Sequence, residues 1–212
     1  MDASLQPFLL SLIGTALQVM LLLMMMQVLG IQMTVFAALI GAFGVAAGLA
    51  LSGTLQNFTG GIIILAMRPY NVGESIIAQG HEGTVTAIRI FYTVVTTYDH
   101  KTVIIPNSKL SNEVITNLSR QGRRRVDVEL KLGYSVPFKT VQEIAYNTLK
   151  QQANILGLPA STIGVNTLEN DGYKIIVNAW VSANEYDTAK RMLQQQLIDD
   201  LKNAGVKLPG MA

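Results

Sequence analysis

The side chains able to do chemistry are few and scattered. Cysteine is absent, which removes disulfides and thiolate nucleophiles, and histidine occurs only at His81 and His100. Neither histidine has carboxylates or thiols at the spacing of a metal site. Asp99-His100 invites an acid–base reading, but it stands between two β-branched runs, with no nucleophile nearby, and reads as hairpin-turn chemistry. Gly60-Gly61 and Gly80/Gly83 match no phosphate-binding pattern, and Asp199-Asp200 fall on a solvated helix end. Met24-Met25-Met26 is a run of soft ligands without a partner and reads as flexible, lipid-facing bulk. The residues point away from an enzyme, and they imply no cofactor and no metal.

What remains is a chemistry of shape, and it sits in one stretch, VFAALIGAFGVAAGLALSGT, at residues 35–54. At about 100° per residue, Phe36, Leu39, Ile40, Phe43 and Leu51 crowd one broad face of a helix. Opposite them Val45 and Leu49 form a narrow line. Ala38, Ala42 and Ala46 lie on or beside one edge of that line, and Gly41, Gly44 and Gly48 on the other. Small residues let helix backbones approach closely inside a bilayer. Two unlike edges suit a heterologous contact, alanine edge against glycine edge, and such a contact closes into a ring when repeated by rotation. The line of Val45 and Leu49 then faces the ring axis as an apolar constriction, which gates by dewetting.

The elements that must carry this stripe are membrane spans. No Lys, Arg, Asp or Glu occurs at residues 3–67, although the chain holds 16 basic and 14 acidic residues. That stretch has room for two spans of about 20 residues each. Half of the chain is hydrophobic and its mean hydropathy is +0.34, high for a soluble domain. The first span is expected over residues 8–29, with Gln18 and Gln27 as its polar residues. A short turn at residues 30–34 leads to a second apolar run over residues 33–67, which would reach about 52 Å at 1.5 Å per residue. That is too long for a hydrocarbon core of roughly 30 Å. A kink is expected at Gly53, where the small-residue pattern ends. Beyond it, Leu55, Phe58, Ile62 and Leu65 share one face and Gln56, Asn57 and Gly60 the other, as in a helix lying on an interface or capping a domain. Arg68, Arg120 and Arg123-Arg124-Arg125 follow the spans while the connector carries no charge, which places the C-terminal part in the cytoplasm.

From Arg68 the grammar becomes that of strands. Runs at 75–79, 84–91, 93–98 and 101–105, separated by turns at Gly80–Gly83 and Asp99-His100, predict a small antiparallel barrel of about five strands. Few aromatics and a net charge of +2 argue against nucleic-acid binding. The knot Arg120-Gln-Gly-Arg-Arg-Arg125 reads as a solvated loop. After it come a strand at 126–134, a helix at 137–152, two strands at 163–169 and 173–182 around Asn170-Asp-Gly172, and a helix at 185–203 ended by Gly205. The order β-α-β-β-α is that of a ferredoxin-like domain. The expected fold class is thus a membrane α-helical hairpin plus soluble α+β: a small β-barrel (Sm/SH3-like) followed by a ferredoxin-like α/β domain. The corresponding divisions are 1–67, 68–120 and 121–212.

The run Gly41-Ala42-x-Gly44-x-Ala46-x-Gly48-Leu-Ala-Leu-Ser-Gly-Thr-Leu-Gln-Asn57, with Gly60-Gly61, Arg68-Pro69, Pro106-Asn107 and Asn117-Leu-Ser-Arg120, resembles the small-conductance mechanosensitive channel family. The resemblance implies a homo-oligomer, a heptamer in well-known members, in the plasma or inner membrane. It further implies a pore opened by membrane tension, with lipids as effectors and ions and small osmolytes as the permeating species. On that pattern Val45 and Leu49 align with the constriction rings and Gly53 with the kink. Ala38, Ala42 and Ala46 pack on Gly41, Gly44 and Gly48 of a neighbour. The sequence departs from the pattern in three places: it starts close to the hairpin, has valine at position 45 where leucine is common, and stops at Leu208-Pro-Gly-Met-Ala212, short of the family's terminal strand. The alternative class is a non-conducting oligomeric membrane scaffold that presents its cytoplasmic domains to a partner.

Overall fold

The charge-free stretch folds as two helices. The computed structural model describes residues 5–207, with α1 at Leu5–Val28 and α2 at Thr34–Met67. Both are long and apolar enough to cross a membrane. The expectation attached to Leu208–Ala212 lies outside the described residues. Gly30 ends α1 at φ +77°, the left-handed conformation that glycine adopts without strain. Its N–H donates to the Gln27 carbonyl and the Ile31 N–H to that of Met26, which satisfies carbonyls left open at the helix end. The backbone stays helical through Gly53 to Met67.

The chain forms two compact units, Met1–Gln56 and Asn57–Ala212, and their boundary falls inside α2. In the first unit nearly every large side chain is exposed, Leu17 and Leu49 among them. Apolar outside and without a core of its own, this is the pattern of helices that meet lipid or other helices. The chain is a membrane protein.

The second unit opens with a five-stranded antiparallel sheet in the order β4-β3-β2-β1-β5: β1 at Ser75–Ala78, β2 at His81–Ile88, β3 at Tyr92–Thr96, β4 at Thr102–Pro106 and β5 at Thr116–Asn117. A short helix, α3 at Asn107–Asn112, links β4 to β5, the two edges. The turn expected at Gly80–Gly83 is shorter than that. Ala78 pairs with His81, so Gln79 and Gly80 alone make the turn, at φ +52° and +74°, and His81 begins β2 instead of lying in a loop. Two positive φ values match the twist of the flanking strands. Gly83 serves packing instead, since a Cβ there would stand 2.4 Å from the Thr96 carbonyl oxygen on β3. Ile76, Val85, Val95, Ile105 and Leu110 fill the core, together with Ile64 from the end of α2 and Tyr70.

The remaining residues form a three-stranded antiparallel sheet, β6-β8-β7, from β6 at Arg123–Leu132, β7 at Thr162–Glu169 and β8 at Gly172–Ser182. On β8 Tyr173, Ile175, Val177, Ala179 and Val181 are buried in strict alternation. They meet Val141, Ala145 and Leu149 of α4 (Phe138–Gln151) and Ala189, Leu193, Leu197 and Leu201 of α5 (Tyr186–Asn203). Among the described residues the order is that of the first three strands and two helices of a ferredoxin-like core. The arginine knot is not a loop. Arg123, Arg124 and Arg125 begin β6 because Ser182, Val181 and Trp180 extend β8 opposite them. Arg124 lies over the Tyr186 ring at 3.6 Å, and Arg125 pairs with Asp127.

Candidate functional site

The stripe on the upper part of α2 stands free within the chain. Val45 is 65% exposed and Leu49 71%. Ala38, Gly41, Ala42, Gly44, Ala46 and Gly48 are exposed as well. A Cβ built on Gly41, Gly44, Gly48 or Gly53 meets nothing within 4 Å.

Lower on the same helix the glycines are enclosed. A Cβ on Gly60 would lie 2.8 Å from the Asn107 carbonyl oxygen, and one on Gly61 would lie 2.3 Å from the Ile90 carbonyl oxygen and 2.7 Å from Asn107 Nδ2. Backbone therefore rests on backbone here, which only glycine permits. The fit is reinforced on either side. The Ser108 N–H donates to Asn57 Oδ1 at 3.0 Å, and the rings of Phe58 and Phe91 stand 6.2 Å apart. Ile64 is fully buried one turn further down.

The other half of this seat is built around Asn107, a fully buried polar residue. Its side-chain amide donates to the carbonyls of Arg89 at 2.8 Å and Ile90 at 3.1 Å, and its backbone N–H donates to Phe91 at 3.0 Å. Thr93 Oγ1 donates to Asn107 Oδ1 at 2.9 Å. One side chain thus holds the β2–β3 loop against the start of α3, and the foot of α2 lies in the cradle they make.

The bounds of this arrangement coincide with a recognised unit. Residues 53–120 match the mechanosensitive ion channel β-domain. An uncharacterized MscS family protein of Synechocystis is 33% identical over 85% of this chain and 61% of its own length. The small-conductance mechanosensitive channel of Edwardsiella ictaluri is 30% identical over 80% of this chain and 60% of its own. Residues 53–120 thus carry the β-domain of mechanosensitive ion channels, and along most of its length the chain is similar to small-conductance mechanosensitive channels. The fold agrees: the closed-state crystal structure of Helicobacter pylori MscS superposes with a TM-score of 0.90 at 22% identity, covering 100% of this chain and 84% of that one. The chain spans about three fifths of the length of those two curated relatives.

The second family signature, Asn117-Leu-Ser-Arg120, clamps the exit of α2. Arg120 donates through Nη1 to the Pro69 carbonyl at 3.0 Å and through Nη2 to that of Arg68 at 2.8 Å. Arg68 itself sits at φ +48°, and such a conformation in a non-glycine residue is kept only where its surroundings enforce it. Asn117 Nδ2 donates to the Pro69 carbonyl at 3.2 Å and to Glu74 Oε2 at 2.7 Å. Asn117 Oδ1 accepts the N–H groups of Ser119 and Arg120. Burial works against the Glu74 carboxylate, but hydrogen bonds from Asn117 and Asn71 outweigh it and hold its pKa below the usual value.

Among the described residues no group of three His, Cys, Asp or Glu side chains could hold a metal ion. Sequence reasoning placed the family signature at Gly60-Gly61 and Pro106-Asn107 but not its use. Leu55, Ile62 and Leu65 on the apolar face are exposed, as in a helix lying on an interface, and it is the small, polar face of Asn57, Gly60 and Gly61 that is packed on the domain. A glycine pair inside an apolar helix was the available signal, because interior glycines persist where another backbone comes close.

Proposed function

We propose that this chain is the subunit of a mechanosensitive channel. Copies assemble as a ring, a heptamer by analogy with well-known family members, and the pore passes ions and small osmolytes when membrane tension rises. The observation that carries the reading is the idle room along α2. Each glycine in a helix interior costs up to about 1 kcal/mol relative to alanine. Gly41, Gly44 and Gly48 return nothing inside the chain, where a Cβ at each would touch no atom within 4 Å. A neighbouring copy supplies the missing contact: Ala38, Ala42 and Ala46 pack on the three glycines, and Val45 and Leu49 turn to the axis. Gly53 is the position at which the helix bends between the membrane and its foot. The name of the Edwardsiella relative supports the same activity.

In this mechanism the Val45 and Leu49 rings exclude water while closed. Tension favours the state of larger in-plane area, in which the helices tilt and part along the alanine–glycine seam. Solute release under hypo-osmotic stress, from a plasma or inner membrane with the C-terminal domains in the cytoplasm, follows from that design. The test is patch-clamp recording of the purified chain in liposomes under a pressure ramp, beside Leu49→Ser. Stepwise openings with pressure, at lower pressure in the variant, are expected, because a hydroxyl in the constriction favours wetting. Silence of both, in a protein shown to be folded and oligomeric, overturns the channel in favour of a non-conducting scaffold.

A further inference from the structure

Tyr70 is the one large polar side chain sealed in the core of the five-stranded sheet, with 1% of its surface exposed. It lies three residues after the end of α2, on the strand side of the corner that Arg120 clamps. A tyrosine there brings a hydroxyl into the core, and a buried hydroxyl is costly unless it is hydrogen-bonded. Its phenol oxygen lies 3.0 Å from Thr93 Oγ1, and Thr93 is itself fully buried.

The direction of these bonds can be worked out. Thr93 has one hydroxyl proton and gives it to Asn107 Oδ1. Tyr70 must therefore donate to Thr93, and the chain runs Tyr70 to Thr93 to Asn107. At its far end Asn107 Nδ2 donates to the Arg89 and Ile90 carbonyls. Turning the amide over would place its oxygen against those two carbonyls and leave three acceptors facing one another. The two carbonyls thus select one orientation of the amide, and the hydroxyl chain supplies the proton that its oxygen accepts and holds it there. Burial also pushes the Tyr70 phenol above its ordinary pKa, against the lowering influence of Thr93, so the hydroxyl stays a neutral donor.

That orientation matters because the amide is part of the seat. Nδ2 lies 2.7 Å from the place a Cβ on Gly61 would take, and the Ile90 carbonyl that it holds lies 2.3 Å from the same point. Resting on the channel reading above, we infer that Tyr70 is a positioning residue for gating: through Thr93 it fixes the Asn107 amide, and so the surface on which the foot of the pore helix sits. It acts through the two side chains between. A phenylalanine at this position would fill the same space and leave Thr93 without its donor.

The test uses the full chain in liposomes, as the parent, Tyr70→Phe, Thr93→Val, the double variant and the conservative Thr93→Ser. Losing a net hydrogen bond of this kind changes an equilibrium by roughly two- to tenfold. Backbone hydrogen exchange at residues 57–61 and 89–93 is expected to quicken by about that factor in Tyr70→Phe and Thr93→Val. The double variant should change no more than either single one, because both break the same chain, and Thr93→Ser should match the parent. In pressure ramps the opening pressure moves in the first three variants while unitary conductance stays at the parent value. Faster exchange spread evenly over the whole sheet would mean that Tyr70 only stabilises the fold, and would overturn the inference. Local exchange with unchanged opening pressure would overturn its gating role. A silent parent instead overturns the channel reading, and the exchange measurement then decides alone whether the hydroxyl chain seats the helix.

Discussion

The same helix uses glycine in two opposite ways. Along the upper part of α2 a Cβ on the glycines would meet nothing within 4 Å among the described residues, and at its foot a Cβ on Gly60 or Gly61 would fall below contact distance of backbone atoms. On the proposed reading a second copy fills the space beside the first set, whereas the second is satisfied by the fold of one chain. That reading assigns stability and assembly to different halves of one element. The lesson is that a small-residue stripe cannot be read without asking what fills the space beside it.

The largest effect should come from filling the occupied space. Gly61→Ala puts a Cβ against the Ile90 carbonyl, a backbone atom that cannot swing aside. Overpacking of this kind costs typically 1–3 kcal/mol and more where the neighbour is rigid. The thermal midpoint of the detergent-solubilised protein should fall by several degrees, since about 1 kcal/mol moves it by roughly 2–4 °C in a domain of this size. Gly44→Ala is the counterpart. It meets nothing in the chain, and alanine favours the helix by up to about 1 kcal/mol, so the fold of the subunit should be unharmed. If the two variants lowered the midpoint equally, the contrast between the halves of α2 would be lost.

A smaller and separable effect is expected across the seam. Ala42→Val adds two methyl groups at an exposed position and disturbs no core contact in the chain. It should leave the melting of the subunit alone and raise the opening pressure, because a branched side chain stiffens the sliding of helix past helix. Pressure ramps on Ala42→Val beside Gly61→Ala then separate the halves: one alters gating without stability, the other stability first.

How much of this was legible follows from the same contrast. The two long apolar helices and the β-α-β-β-α order could be read from periodicity, which depends on residues close in sequence. The hairpin around Asn170-Asp171 could be read because a two-residue turn has its own local chemistry. The seat could not. Its partners are separated by long stretches of chain, as Asn57 and Ser108 are, and no local pattern announces that Asn107 will fold back on Arg89 and Ile90. The six-residue α3 was missed for a related reason. Such a short helix is held by tertiary contacts such as the burial of Leu110 and not by its own propensity. The strand character of Arg123–Arg125 depended on β8, a segment more than fifty residues away.

The smallest expected effect lies far from α2, at the β7–β8 turn, and it serves as a control on the others. Lys131 bridges Glu169 and Asp171 at 2.8 Å each, and Lys174 pairs with Glu169 at 2.9 Å. The hydrogen bonds from Lys131 and Lys174 pull the Glu169 pKa down to about 2, and those to Asp171 and Glu169 push Lys131 above its ordinary value. A carboxylate depressed in the folded state contributes stability above its usual pKa and loses it as the pH falls toward the depressed one. Acid should therefore weaken this turn progressively between about pH 4.5 and pH 2. Asp171 is exposed and the other partners are only half-buried, so the contribution is modest and fades further with salt. Lys131→Met should shrink the difference in thermal midpoint between pH 7 and pH 3, and added salt should shrink it in the parent. Neither change should alter opening pressure at neutral pH, because no atom of this cluster touches the seat of α2. A shift in opening pressure on Lys131→Met would show that gating is coupled well beyond the foot of the helix, and would blur the division drawn between its two halves.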